Sequence, residues 1–227
     1  NIFVEKPLAI NLEQLNDIEE AYAKSNSILF VDFNRRFSSL SLQVKSLLDD
    51  VNLPKAVNIN VNSGQIEKHN WEQNFKISGG RIVGEVCHFI DYLFFLIKSD
   101  VDHWHVVNMD ADTKDTITIS IKFKDGSIGN INYYSNGNPK YSKENIEIFT
   151  GNKILKIENF IKLSGYGWNN FKSKKLWTQD KGHKKAIEEF IFAINNKTFS
   201  PITFQDLASV TRLSIEISNK IFGIKDH

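Results

Sequence analysis

Apolar residues keep two different periods along this chain. Ile2-Phe3-Val4 is a short apolar run closed by Pro7, which predicts a buried strand. Asn11 precedes Leu12, Leu15, Ile18 and Tyr22, apolar positions at helical spacing, and its side chain suits an N-cap. Ile28-Leu29-Phe30-Val31 is a second run of strand length. Strand, helix and strand within about 30 residues predict one βαβ crossover. A further helix is expected from Leu40 to Leu48.

Beyond Pro54 the period becomes two. Val57, Ile59 and Val61 alternate with Asn58, Asn60 and Asn62, so one face of this strand is apolar and the other polar. A loop with His69, Trp71 and Gly79-Gly80 follows. From Arg81 to about Ile97 apolar residues lie nearly all around a helix, which predicts a buried one. Ile117, Ile119, Ile121 and Phe123 alternate with Thr116, Thr118, Ser120 and Lys122, the latter set marking a free face. Asp125-Gly126 supplies a hairpin turn into Ile128–Tyr134, and Gly151-Asn152 a second one between Ile146–Phe149 and Ile154–Ile157. These strands predict an antiparallel meander. Two helices close the chain, one with Ile187, Phe190, Ile191 and Ile194. The other opens on the capping pattern Thr203-x-x-Asp206 and ends near Gly223. The expected class is α+β: an open, mainly antiparallel sheet with helices on one face, preceded by a βαβ piece. That piece is too small to stand as a domain and reads as the end of a larger parallel sheet.

Composition narrows the function classes. The 227 residues are 41% hydrophobic, enough for a sizeable core. Lys and Arg number 28 against 27 Asp and Glu, a formal net charge of +1, which argues against nucleic-acid and membrane-surface partners. The single cysteine, Cys87, excludes an internal disulfide and a Cys-rich zinc site. No apolar run reaches the length of a membrane span and no signal peptide precedes the first strand, so a cytoplasmic protein is expected. The chain opens at Asn1 directly on an apolar strand and its only methionine is Met109, which reads as a fragment. Arg35, Arg36, Arg81 and Arg212 are the only arginines; in so lysine-rich a chain they mark places where a planar fork is wanted.

The richest stretch for chemistry runs from Ser78 to Asp91. Glu85, His88 and Asp91 are spaced by three, and on an α-helix each such step drifts about 60° backward, so all three share one face. A carboxylate one turn from a buried histidine fixes its tautomer and raises its basicity, as a general base requires. A satisfied core histidine is the plain alternative; three aligned ionisable groups favour the functional reading. Metal sites are not expected: a di-iron centre needs a second Glu-x-x-His, and His103-x-His105 has no third ligand nearby in sequence. Gly165-Tyr166-Gly167 lacks the third glycine of a dinucleotide fingerprint. No P-loop or nucleophile elbow occurs, and Cys87 sits mid-helix as an inert thiol. Lys6, just after an apolar strand, places an ammonium at the carboxyl edge of a parallel sheet, where α/β proteins bind ligands.

Glu5-Lys6-Pro7, then Asn34-Arg35-Arg36-Phe37, then the glycine-rich helix with His88, together resemble the Gfo/Idh/MocA dehydrogenases over the whole chain. The chain is similar in particular to members from bacterial polysaccharide gene clusters, through His69-Asn70-Trp71, Gly79 to Glu85, Lys143-Glu144 and Lys181-Gly182-His183-Lys184. The resemblance implies that residues 1–37 are the C-terminal remnant of a Rossmann dinucleotide-binding domain and residues 38–227 a substrate-binding and oligomerisation domain. About 100 residues, one small domain's worth, are then expected upstream. It implies NAD or NADP as cofactor, its main site lying outside this chain, with Glu5, Lys6 and Pro7 touching it. Lys6 would orient the reacting hydroxyl and His88 act as acid and base. Asp91 would orient His88 or bind a sugar hydroxyl. Arg35, Trp71, Arg81 and Glu85 are candidate contacts to a sugar or nucleotide-sugar substrate. Family members carry an Asp four residues before the His; here that place is Gly84, with Glu85 one position later. The open sheet is expected to pair subunits into a homo-oligomer. The fragment alone is expected to be inactive. Two alternatives stand beside the dehydrogenase: an NAD-dependent glycosidase of the same fold, which would release free sugar without net reduction of the cofactor, and a non-catalytic oligomerisation module.

Overall fold

The computed structural model describes residues 1–67 and 70–224. In chain order the elements are β1 (Ile2–Val4), α1 (Leu12–Ala23), β2 (Leu29–Val31), a 3-10 turn over Asn34–Phe37, α2 (Ser39–Asp49) and β3 (Ala56–Asn62). A 3-10 turn over Trp71–Gln73, α3 (Phe75–Ser78), a π turn over Ile82–Val86 and α4 (Cys87–Ile97) follow. Then come β4 (Val101–Asn108), β5 (Ile117–Phe123), β6 (Ile128–Tyr134), β7 (Glu144–Thr150), β8 (Lys153–Glu158), β9 (Lys162–Tyr166), β10 (Lys174–Lys175), α5 (His183–Asn196) and α6 (Phe204–Phe222). Among the described residues no helix is long and apolar enough to cross a membrane.

The chain forms two compact units, one from residues 1–34, 67–91 and 183–227, the other from 35–66 and 92–182. These limits are drawn differently from a single boundary at residue 37, because residues 67–91 and the last two helices gather around the first strands.

In the first unit β1 and β2 pair in parallel, Ile2 opposite Leu29 and Val4 opposite Val31. The crossover α1 is capped as its sequence predicts, Asn11 Oδ1 accepting from the Gln14 N–H at 2.8 Å. Phe3 stacks on Phe30 at 5.2 Å, and Phe190 of α5 meets Phe3 edge-on at 5.4 Å, which fastens that helix to the strand pair. α6 begins at the Thr203 cap and ends at Gly223, whose φ of +66° is left-handed. It lies against α1: Tyr22 and Phe204 stack at 3.9 Å, and Arg212 reaches both Glu19 oxygens at 2.9 Å. The continuous helix expected from Arg81 to Ile97 is instead a π turn followed by α4. Residues apolar on every side carry no phase information, so the sequence could not reveal the widened turn.

In the second unit eight strands lie in the order β10-β9-β8-β7-β3-β6-β5-β4. The sheet is mainly antiparallel, as expected, but it is not one meander. β3 inserts between β6 and β7, parallel to β6 and antiparallel to β7. Both edges of β3 are therefore paired, and the 135–143 connection passes beyond its end, where Asn62 Nδ2 donates to Asn138 O at 2.7 Å. Gly137 abuts the Asn62 amide there, leaving no room for a β-carbon.

The period-two pattern holds: Val57, Ile59, Ile119, Ile131 and Ile146 are buried on one face. Leu93 of α4 packs over Gly129, and Phe94 meets Phe123 edge-on at 6.0 Å. The open face carries amide chains. Ser120 Oγ donates to Asn130 Oδ1 at 2.8 Å, and Asn130 Nδ2 to Asn58 Oδ1 at 3.1 Å; Thr118, Asn132 and Asn60 repeat the pattern. Thr116 departs from the expected free face. It is buried, with its hydroxyl 2.8 Å from that of Ser135.

A candidate site at the carboxyl edge of the parallel strands

Lys6 leaves β1 at the carboxyl edge of the parallel pair. Its ammonium donates to Gly84 O at 2.6 Å and to Glu85 Oε1 at 2.5 Å. Both acceptors lie in the π turn. Of the three residues expected on one face, Glu85 lies in this π turn, whereas His88 and Asp91 follow it, three apart, in α4. Glu85 reaches Lys6 with its side chain 31% exposed, whereas His88 and Asp91 are buried.

A cavity of about 680 Å³ opens beside this ion pair, its wall including Glu5, Lys6, Pro7, Trp71, Arg81 and Glu85. Trp71 is 62% exposed on its rim, and Arg81 is buried in its wall. Local turns set these positions. Asn70 caps the Trp71 turn through the Glu72 N–H at 3.0 Å. The Ser78 hydroxyl lies 3.2, 3.1 and 3.0 Å from the carbonyls of Trp71, Glu72 and Asn74, and accepts from the Gly80 N–H at 3.1 Å. Gly79 and Gly80 have φ of +72° and +76°, and a β-carbon on either would come within 3.0 Å of Val83 or the Phe75 ring.

His88 and Asp91 do not line this cavity. The His88 imidazole stands edge-on to Phe33, centroids 6.1 Å apart. Arg35 belongs to the second unit. Its Nε and Nη2 donate to Glu144 at 2.8 and 3.0 Å, and Lys181 adds a third bond to the same carboxylate at 2.6 Å. Burial alone would push the Glu144 carboxyl up, but the charges and hydrogen bonds of Arg35 and Lys181 outweigh it and hold it at about 2. His69 lies outside the described residues.

A further polar group escaped the sequence reading. Asp32 follows β2, its N–H bonded to Val4 O at 2.9 Å, and the ring of His183 stands 3.6 Å from its carboxylate and 3.1 Å from the Asn34 amide. An acidic residue directly after the buried Leu29-Phe30-Val31 strand was the available signal. Among the described residues no group of three or more His, Cys, Asp or Glu is placed to hold a metal ion.

The carboxyl edge of a parallel pair, with an ammonium and the apolar Pro7, Leu8 and Ile10 in one cavity wall, suits the nicotinamide end of a dinucleotide. The glycine-rich fingerprint that would hold its phosphates is absent from the sequence.

A model of an oxidoreductase family, C-terminal alpha/beta domain, matches residues 48–207. Myo-inositol 2-dehydrogenase of Thermotoga maritima is 26% identical over 137 residues, 57% of this chain and 41% of that protein. The chain thus aligns with less than half of this curated relative. The crystal structure of the dehydrogenase MviM from Clostridium difficile superposes with a TM-score of 0.78 at 23% identity, over 97% of this chain and 71% of that one. UDP-N-acetylglucosamine 3-dehydrogenase GnnA from Acidithiobacillus ferrooxidans gives 0.80 at 14% identity, over 98% and 71%. Such identities establish a shared fold.

Proposed function

Because this chain belongs to the Gfo/Idh/MocA oxidoreductase family, through its C-terminal alpha/beta domain, we propose that it is the substrate-binding part of an NAD(P)-dependent dehydrogenase acting on a hydroxyl or ketone of a sugar or nucleotide sugar. The observation that carries this reading is the Lys6–Glu85 pair beside an open cavity at the carboxyl edge of the parallel strands. Glu5, Lys6 and Pro7 would hold the nicotinamide end of the cofactor, which supplies a hydride acceptor or donor when bound. Lys6 orients the reacting oxygen by donating to it. His88 is buried and outside the lining of the cavity, so it takes the hydroxyl proton in the oxidising direction, and returns it in the reducing one, when the reacting end of the substrate reaches past the Lys6–Glu85 pair. Asp91, three residues beyond His88 on α4 and buried outside the cavity lining, orients His88; the other role considered for it, accepting from a sugar hydroxyl, would need the substrate to reach beyond that lining. Trp71 offers a flat apolar surface to a sugar ring, and Glu85 and Arg81 bond its polar rim. Arg35 is buried and gives its Nε and Nη2 to Glu144, so its part is to hold the 34–37 turn against β7 rather than to bind substrate.

The reading places the protein in the cytoplasm and pairs copies through the open face of the sheet. The test is the intact gene product assayed with NAD⁺ or NADP⁺ and a panel of free and nucleotide-linked sugars. Reduced nicotinamide should form with at least one of them. His88→Ala should abolish hydride transfer while leaving cofactor affinity nearly unchanged; a full rate after this change would remove His88 from the mechanism. Release of free sugar without net reduced cofactor would favour the glycosidase instead.

A further inference from the structure

A second cavity lies at one end of the open sheet face. It measures about 640 Å³, within the range of small-molecule sites, and its lining residues all belong to the second unit. Its floor is one cross-strand row: Ile128 stands opposite Ala56, Ala56 opposite Phe149, and Phe149 opposite Ile154. At about 4.8 Å between strands this row is about 14 Å long. Ile128 is 43% and Phe149 37% exposed. The strip is apolar on a face whose next row, Ser120, Asn130, Asn58 and Glu147, is polar.

Three lysines, Lys55, Lys122 and Lys153, stand around this floor, and the lining includes no Asp or Glu. All three are half-buried. Lys122 Nζ donates to Gly126 O at 2.7 Å, Lys55 Nζ reaches Leu53 O at 3.5 Å, and Lys153 Nζ stands over the Trp168 ring at 4.6 Å. The carboxylates nearest in register are engaged elsewhere. Asp125 accepts from the Ser127 N–H and hydroxyl at 2.9 Å. Glu147, one row up, faces Lys156 at 3.7 Å, and Asp102, on the strand beside Lys122, faces His103 at 3.0 Å. An ammonium carries three donors, so each lysine keeps some for a ligand. Like charges around one concave surface repel, and an anion seated among them relieves that repulsion.

We propose that this cavity binds a phosphorylated molecule with a flat apolar ring, the phosphate among the three lysines and the ring on the strip from Ile128 to Ile154. Lysine binds phosphate as a point charge, so the ammoniums supply attraction and the strip supplies orientation. The site shares no lining residue with the cavity beside Lys6 and stands apart from the dehydrogenase reading.

Trp168 is the reporter: its indole N–H donates to Ile154 O at 3.1 Å and its ring meets Lys153. In the ¹⁵N-labelled chain, with the indole signal assigned through Trp168→Phe, the probes are phenyl phosphate, phenol and inorganic phosphate. Phenyl phosphate should shift the signal at a concentration about tenfold or more below phenol and about threefold or more below inorganic phosphate. Lys55→Gln combined with Lys122→Gln, which spares Lys153, should raise the phenyl phosphate concentration needed by about fivefold or more. Each single change should show part of that rise, with the other resonances reporting a folded chain. Equal responses to phenol and phenyl phosphate would overturn the role of the lysines, and equal responses to the two phosphates that of the apolar strip. A response untouched by the lysine changes, or none to any probe, would overturn the site.

Discussion

Glu85 and Glu144 each hold a lysine within about hydrogen-bond distance, yet their surroundings are opposite. Glu85 shares Lys6 at the mouth of a cavity, with both side chains partly exposed. Glu144 is fully buried and takes two bonds from Arg35 and one from Lys181. In the first place water screens the attraction, and either partner is able to exchange the other for a ligand hydroxyl at small cost. In the second, losing one partner strands a charge away from water. The first arrangement suits chemistry and the second suits fixing two distant stretches of chain, around residues 35 and 181, on one strand.

The comparison breaks most visibly at Glu144. Glu144→Ala leaves Arg35 and Lys181 facing no carboxylate at that position and should cost about 3–5 kcal/mol of stability, read from urea unfolding. A loss below 1 kcal/mol, the range of an exposed pair, would show that the triad is no clamp. The next largest effect follows from acidity. The Glu144 carboxyl sits at about 2 when folded against an ordinary 4.5. A depressed carboxyl contributes stability above its unfolded value and loses it as pH falls through the folded one. That gap corresponds to about 3 kcal/mol, present above about pH 4.5 and lost progressively toward pH 2. Asp180 adds in the same sense: the Ser39 and Gly182 N–H groups outweigh burial and hold it low. Subtracting the unfolding profile of Glu144→Gln from that of the parent isolates the Glu144 share, and parallel profiles would refute it.

Much of this contrast could be read from the chain, though not all of it. Lys6 was legible because strand, ammonium and proline stand consecutively, and the cap at Asn11 and the hairpin at Gly151-Asn152 are equally local. Glu144 was partly legible. It keeps the inward parity of Ile146 and Ile148, an acidic residue on an apolar face, but its partner Arg35 lies 109 positions away and no local pattern announces it. The insertion of β3 between β6 and β7 is hidden for the same reason, since period two specifies a face and not a neighbour. The π turn at Ile82–Val86 was hidden as well: it takes Glu85 out of regular α-helix, whereas His88 and Asp91 keep their spacing of three within α4.

The smallest expected effect is the sharpest test of the contrast. Lys6→Met, Glu85→Gln and the double variant form a cycle for the cavity pair; Lys181→Met, Glu144→Gln and their double variant form one for the buried pair. At the cavity the coupling in stability should fall within about 0.2–1 kcal/mol, since both groups regain water when separated. The buried cycle should exceed it severalfold, since Glu144, with its side chain fully buried, is not rehydrated when Lys181 is lost. Equal couplings would mean that Glu85 fixes Lys6 as firmly as Glu144 fixes Lys181, and an ammonium so held would be a structural group with no freedom to turn toward a substrate oxygen.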